Sequence, residues 1–245
     1  MESTIVLISK KGKGVQVILS ANFIEDLVSP TTTVNSDLTK ETTYANVNGF
    51  YNVSLEFGYN AKTRINTNAV LTYNFGLDSR VSNTVNINNN ILFNTKTTTV
   101  KPKVNAILNW KNVLEIAPSY NVRFTAAKFS TLDLQNQRFS QHNIRLKTVL
   151  FAIKDFEWRN DIDYFHNPKV VSNFQKNTLL WNTTLDYSFL KNKVTAFIKI
   201  YDLLNQNTSV VRINNSNFIE DNLSSVLKRY FMFGLKWRFD TFNSK

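Results

Sequence analysis

The chain has 245 residues and no cysteine, which rules out a disulfide framework and any thiolate metal site. No run approaches about 18 uninterrupted apolar residues, so no transmembrane helix is expected. The formal charge is +11, yet Lys and Arg are spread along the chain, only KKGK at 10–13 is dense, and no basic helix or ribonucleoprotein motif accompanies it, so nucleic acid is not an expected partner.

Glycine and proline are scarce, while Phe, Tyr, Asn and Thr are frequent, which favours strands joined by polar turns. Met1 to Thr4 runs straight into Ile5-Val6-Leu7-Ile8 without the basic region, apolar core and cleavage site of a signal peptide. An exported barrel that starts this way is expected to be a fragment or to have a misplaced start. Thr4 to Ser9 reads as a first strand. Period-2 alternation then recurs along the chain. Val15, Val17 and Leu19 oppose Gln16 and Ser20. Tyr51, Val53, Leu55 and Phe57 oppose Asn52, Ser54 and Glu56. Ile65, Ala69, Leu71 and Tyr73 oppose Asn66, Asn68 and Thr72. Val100, Val104 and Ala106 oppose Lys101, Lys103 and Asn105. Pro102 and Pro118 each remove a ladder donor, and a bulge or strand end is expected at both.

Further along, Leu114, Ile116 and Tyr120 oppose Glu115, Ser119 and Arg123. Ile144, Leu146 and Leu150 oppose Arg145 and Lys147. Phe156, Trp158, Ile162 and Tyr164 oppose Glu157, Arg159, Asp161 and Asp163. Four charges on one face of one strand do not fit a closed dry core, whereas a wet lumen or a solvated surface accepts them. Leu179, Trp181 and Leu185 oppose Asn182 and Asp186. Ile198 and Ile200 oppose Lys199, with Phe197 out of pattern. In the last stretch, KRYFMFGLKWRF at 228–239, Phe231, Phe233, Leu235, Trp237 and Phe239 occupy every second position against Lys236 and Arg238. About 9–11 tilted strand residues cross a bilayer, and this stretch has that length.

Connections alternate between short and long. Short turns are expected at 10–13, 60–63, 110–112, 152–154 and 190–192. Long loops are expected at 25–42, 76–97, 127–136, 165–177 and 203–227, with 81–94 forming the arms of one of them. Short turns at one end and long loops at the other, with aromatic residues gathered near strand ends, are expected of a transmembrane barrel. The expectation is an all-β, antiparallel, up-and-down transmembrane β-barrel of about eleven strands. Single-chain bacterial barrels have even strand numbers and no open edge in lipid, so 1–245 is expected to be the carboxy-terminal part of a larger barrel.

TTLDYSFLKNK, then VTAFIKIYDLLNQN at 194–207, NFIED at 217–221 and LKRYFMFGLKWRF at 227–239 stand in an order and spacing that resemble the outer-membrane β-barrel family related to TonB-dependent receptors. The resemblance is carried by residues 175–240. It implies the cell outer membrane of a gram-negative bacterium, nutrient uptake or binding at the cell surface, and outer-membrane lipid as a partner. It also implies an amino-terminal plug and barrel portion not present in this sequence, and recognition of the terminal aromatic strand by the barrel-assembly machinery. Phe239 fits that last role, although 240–245 follow it.

No catalytic, cofactor or metal residues are expected. His166 shares no strand face with Asp161 and Asp163 and reads as a rim histidine. Ser140 and His142 share a face, the one enzyme-like pair, without an oxyanion motif. Glu157 and Asp161 flank Arg159 and read as a charge ladder. GKG at 12–14 reads as a turn. Asp202 is expected to cap a short helical turn at a structural corner. Lys101, Lys103, Arg123, Arg145, Lys147, Arg159, Lys199, Lys236 and Arg238 would tilt a lumen towards anionic solutes, against Glu115, Glu157, Asp161, Asp163 and Asp186 on the same side. The competing expectation is a soluble all-β adhesion or carbohydrate-binding protein, whose aromatic faces would be buried.

Overall fold

The computed structural model describes residues 2–9, 12–37, 39–131, 134–151, 153–167, 176–207, 209–214, 219–224 and 226–239. Fifteen strands follow in order: β1 Glu2–Ser9, β2 Lys13–Ile24, β3 Leu27–Val34, β4 Lys40–Val47, β5 Phe50–Arg64, β6 Ala69–Asn88, β7 Ile91–Trp110, β8 Leu114–Phe129, β9 Gln137–Leu150, β10 Phe156–His166, β11 Asn177–Phe189, β12 Val194–Tyr201, β13 Ser209–Asn214, β14 Ile219–Ser224 and β15 Tyr230–Trp237. Eleven form one antiparallel up-and-down path, β1-β2-β5-β6-β7-β8-β9-β10-β11-β12-β15. Among the described pairings none joins β1 to β15, so the sheet is open at two edges. The remaining four are hairpins within two of the long connections. β3–β4 leans on β6 through a two-residue parallel pairing at Thr31 and Thr32, and β13–β14 pairs only with itself.

Cross-strand partners share a face, so the registers carry the alternation from strand to strand. Arg145 stands opposite Asp163, Lys147 opposite Asp161, Arg159 opposite Thr184, and Lys199 opposite both Thr184 and Met232. One face is therefore polar from β2 to β15. The other carries the rings, and it is not covered. Phe23, Phe75, Trp158, Leu185 and Phe233 are all exposed, and the largest fully buried side chain among the described residues is Val85. A soluble chain of this length buries most of its large apolar side chains between layers. Among the described residues there is one layer and no second one for the rings to enter. They meet each other instead: Phe156 and Tyr187 lie 4.6 Å apart and Trp237 and Phe239 5.5 Å apart near the short-turn end, while Phe23 and Tyr51 lie 6.3 Å apart near the other.

The segment 81–94 is an extension of β6 and β7, laddered as far as Asn88 and Ile91 and closed by Asn89 and Asn90, both at positive φ. Three expectations are corrected. The long loop expected at 76–97 is paired strand throughout except for Asn89 and Asn90. The short turn lies at 65–68, not 60–63, and Ile65 belongs to it, not to the strand. Asn66 Oδ1 accepts the N–H groups of Asn68 and Ala69 at 2.8 Å, closing the chain locally. Pro102 and Pro118 end no strand and add no residue. The β7–β8 pairing lapses beside each, yet Val100 with Phe124, Lys103 with Asn121 and Leu108 with Ile116 hold a single register throughout.

Candidate functional site on the polar face

The polar face is concave across β5–β9, where it encloses a cavity of about 610 Å³. Its floor is set by register. Glu56 faces Asp78, Asp78 faces Lys101, and Arg80 lies between Ser54 and Thr99. On the β8 side, the pairs flanking the Pro102 lapse set Lys101 opposite Arg123. Phe129 and Phe139, on the same face, line the cavity towards the long-loop end.

Two carboxylates, Glu56 and Asp78, line the cavity with these cations, and Asp78 is taken by another residue. Lys103 Nζ donates to Asp78 Oδ1 at 2.9 Å and Oδ2 at 3.2 Å. Gly76, opposite Lys103, makes this possible, because a Cβ there would run into the lysine's methylenes. Lys101, the register partner of Asp78, is left over. Among the described residues, Arg80, Lys101 and Arg123 make neither an ion pair nor a side-chain hydrogen bond. Arg80 and Arg123 are exposed and Lys101 is half-buried.

Three strands away the same face is arranged differently. Arg145 Nε lies 2.5 Å from Asp163 and 3.9 Å from Asp161, and Lys147 Nζ lies 3.6 Å from Asp161. Arg159 pairs with Glu157 on its own strand and reaches Asp186 on β11 at 3.0 Å. Asp186 is only 3% exposed, so Arg159 is what makes its charge tolerable there. The six charges expected from Arg145 to Asp163 thus fall into two adjoining clusters of one charge lattice, Arg145 and Lys147 with Asp161 and Asp163, and Arg159 with Glu157 and the buried Asp186.

The other expected lumen cations are placed apart. Lys199 Nζ lies 4.2 Å above the Tyr201 ring, and Lys236 Nζ 5.1 Å from the Phe197 ring. Phe197, out of pattern in the sequence, covers Gly234 on β15, its register partner, where a Cβ would strike the ring. Arg238 follows the end of β15, and its N–H donates to the Lys193 carbonyl at 2.8 Å, tying the last strand to the β11–β12 turn. Phe231, Phe233, Leu235 and Trp237 share the apolar face of β15, and Phe239 stacks on Trp237 just beyond it.

Ser140 and His142 do meet. His142 Nε2 is 3.1 Å from Ser140 Oγ, and Nδ1 is 2.8 Å from Tyr120 Oη. They sit on the apolar face near the long-loop end, away from the cavity, with the backbone of His142 paired on both sides. Strand-end polar groups satisfying one another account for that geometry. His166 Nδ1 contacts Asn177 Oδ1 at 2.5 Å, and no metal-binding cluster occurs among the described residues. Asp202 starts a hydrogen-bonded turn where a helical one was expected, accepting from Gln206 N and Asn207 N at 2.9 Å each. Arg80, Phe129 and Phe139 escaped the sequence reading. Asp78, Arg80, Ser82 and Thr84 continue the polar alternation of β6, and that parity was the available signal.

No protein-family model matches the chain, and no curated protein matches it. Among solved structures it is similar to the NanC porin in a rhombohedral crystal form, at 12% identity over 94% of this chain and 96% of that chain, with a TM-score of 0.35. That likeness is too slight to argue from.

Proposed function

We propose that this sheet is a stretch of wall from an outer-membrane β-barrel of TonB-dependent receptor type, serving nutrient uptake or binding at the surface of a gram-negative cell. One observation carries the proposal: a single-layer sheet leaves its aromatic face open from β2 along the path to β15 while its polar face is concave across β5–β9. Hydrocarbon satisfies the first face and water the second, which is the arrangement of a barrel wall and the inverse of a soluble sandwich. In this reading Phe231, Phe233, Leu235, Trp237 and Phe239 lie against outer-membrane lipid. The barrel-assembly machinery reads the strand that bears them. The β9–β11 charge lattice lines the lumen. Open edges are not tolerated in lipid, so in this reading an amino-terminal barrel portion closes the wall between β1 and β15, and a plug belongs inside it. The wall has a binding or conducting role and no catalytic one.

The test is physical. The protein should stay with outer membranes through a carbonate wash and migrate faster unboiled than boiled. Release without detergent would favour a soluble all-β adhesion or carbohydrate-binding protein. That alternative requires the exposed rings to be buried, which they are not.

A further inference from the structure

We propose that Arg80, Lys101 and Arg123 form a binding site for a solute bearing a carboxylate, sulfate or phosphate group. The proposal rests on the barrel reading only in that the concave face is open to solute.

Three observations converge on it. First, Lys101 and Arg123 face each other across adjacent strands, and like charges so placed repel. Arg80 stands one residue pair further along, opposite Thr99. Second, relief is at hand and is diverted, because Asp78 is opposite Lys101 but is held by Lys103 in the space that Gly76 leaves. In the β9–β11 lattice the cations of this same face do have carboxylate partners, and Lys199 and Lys236 further along lie over rings, whereas Arg80, Lys101 and Arg123 have neither among the described residues. Third, the three side chains line the 610 Å³ cavity, whose walls add threonine hydroxyls from β7 and the rings of Phe129 and Phe139. An oxyanion there would accept charge-assisted hydrogen bonds from two guanidinium groups and one ammonium group. The hydroxyls and rings would meet the rest of the molecule. Glu56, diagonal to Arg80 on the neighbouring strand, also lines the cavity and makes no ion pair among the described residues.

The experiment uses the full chain refolded in detergent micelles and titrated with sulfate, citrate and glucose 6-phosphate, with glucose as the uncharged control. Arg80→Gln, Lys101→Gln and Arg123→Gln are made singly and together, and Lys147→Gln serves as a charge-matched control in the lattice. The anions should bind and glucose should not. Each single variant should weaken binding by about tenfold, the size of one charged hydrogen bond, and the triple variant should abolish it. Lys147→Gln should leave it unchanged. An unboiled-versus-boiled gel of the same samples reports on the barrel reading separately. Heat-modifiable protein that binds none of the anions, or a triple variant that binds them as well as the parent, overturns the site while the barrel stands. Binding lost on these substitutions in protein that shows no heat shift supports the site and sinks the barrel.

Discussion

The β9–β11 lattice and the β6–β8 groove lie on the same polar face and use the same residue types, but they spend charge in opposite ways. In the lattice three cations, Arg145, Lys147 and Arg159, are interleaved with four carboxylates, Glu157, Asp161, Asp163 and Asp186. In the groove three cations stand together without an ion pair among the described residues, Asp78 belonging to a fourth cation and Glu56 to none. The difference shows that compensation on this wall is local. Within the net charge of +11 is a site where three cations make no ion pair among the described residues. The lattice ties three strands together. The groove leaves repulsion between two strands on the seam where Pro102 and Pro118 already interrupt the ladder.

The comparison presumes that both regions share the wet face, and the largest effect tests that. Val104 lies mid-strand on the apolar side of β7, next to Asn105 on the polar side. Val104→Arg should cost about 2–4 kcal/mol of stability in a bilayer, as a cation at the midplane of a barrel's lipid face does. Asn105→Arg should cost much less. Unfolding by denaturant from lipid vesicles measures both, and equal costs would remove the common face on which the contrast stands.

The next effect separates the regions themselves. Asp186→Asn removes the buried carboxylate of the lattice and leaves Arg159 with Glu157 alone. Breaking a fully buried pair costs several kcal/mol, but Arg159 is 45% exposed and keeps a partner, so about 1–2 kcal/mol is expected. A loss below the error of the unfolding midpoint would mean that the lattice holds nothing together. Gly76→Ala is a smaller perturbation that links the two regions. Its methyl group would displace the Lys103 chain and free Asp78 for Lys101. The expected stability change is under about 1 kcal/mol, the range of one exposed ion pair. Titration with citrate should nonetheless show weaker binding, since the groove would then carry its own counter-ion.

Much of this wall was legible because a strand's side chains alternate strictly. Which residues share a face followed from parity alone, and long and short connections gave the strand number and left 81–94 outside the band. Parity also explains what was missed. The 65–68 turn has four residues, so the apolar parity is odd on both sides of it, with Tyr59 and Ala61 before and Ala69 and Leu71 after, and Ile65 inside the turn keeps that parity without marking it. Only the Asn66 side chain betrays it. The lattice was half legible, since four charges on β10 announced themselves, whereas Asp186 as the buried end needed the register to β11. The groove was least legible. Reading 76–97 as a long loop hid that Arg80 continues the polar row, and the choice of Lys103 over Lys101 by Asp78 depends on the room above Gly76, a fact of three dimensions.

The smallest effect is the most discriminating, because it turns on a sign. Lys101→Met keeps the length and most of the apolar stem while deleting the charge that faces Arg123. Where a cation is compensated, deletion costs stability, and Lys147→Met, which loses its contact to Asp161, should lower the unfolding free energy by about 0.2–1 kcal/mol. Where a cation is set against its like, deletion should raise stability by about as much, as expected for relief of a cross-strand repulsion. Both substitutions are lysine to methionine, on the same face, in strands of one sheet, so helix or strand propensity and denatured-state effects largely cancel in the difference. Added salt should shrink the gap by screening both terms. Saturating sulfate should reverse the sign at Lys101 alone, since an anion bound there makes the lysine an asset. If Lys101→Met destabilises the sulfate-free protein as Lys147→Met does, the groove is an ordinary solvated face and the contrast with the lattice disappears.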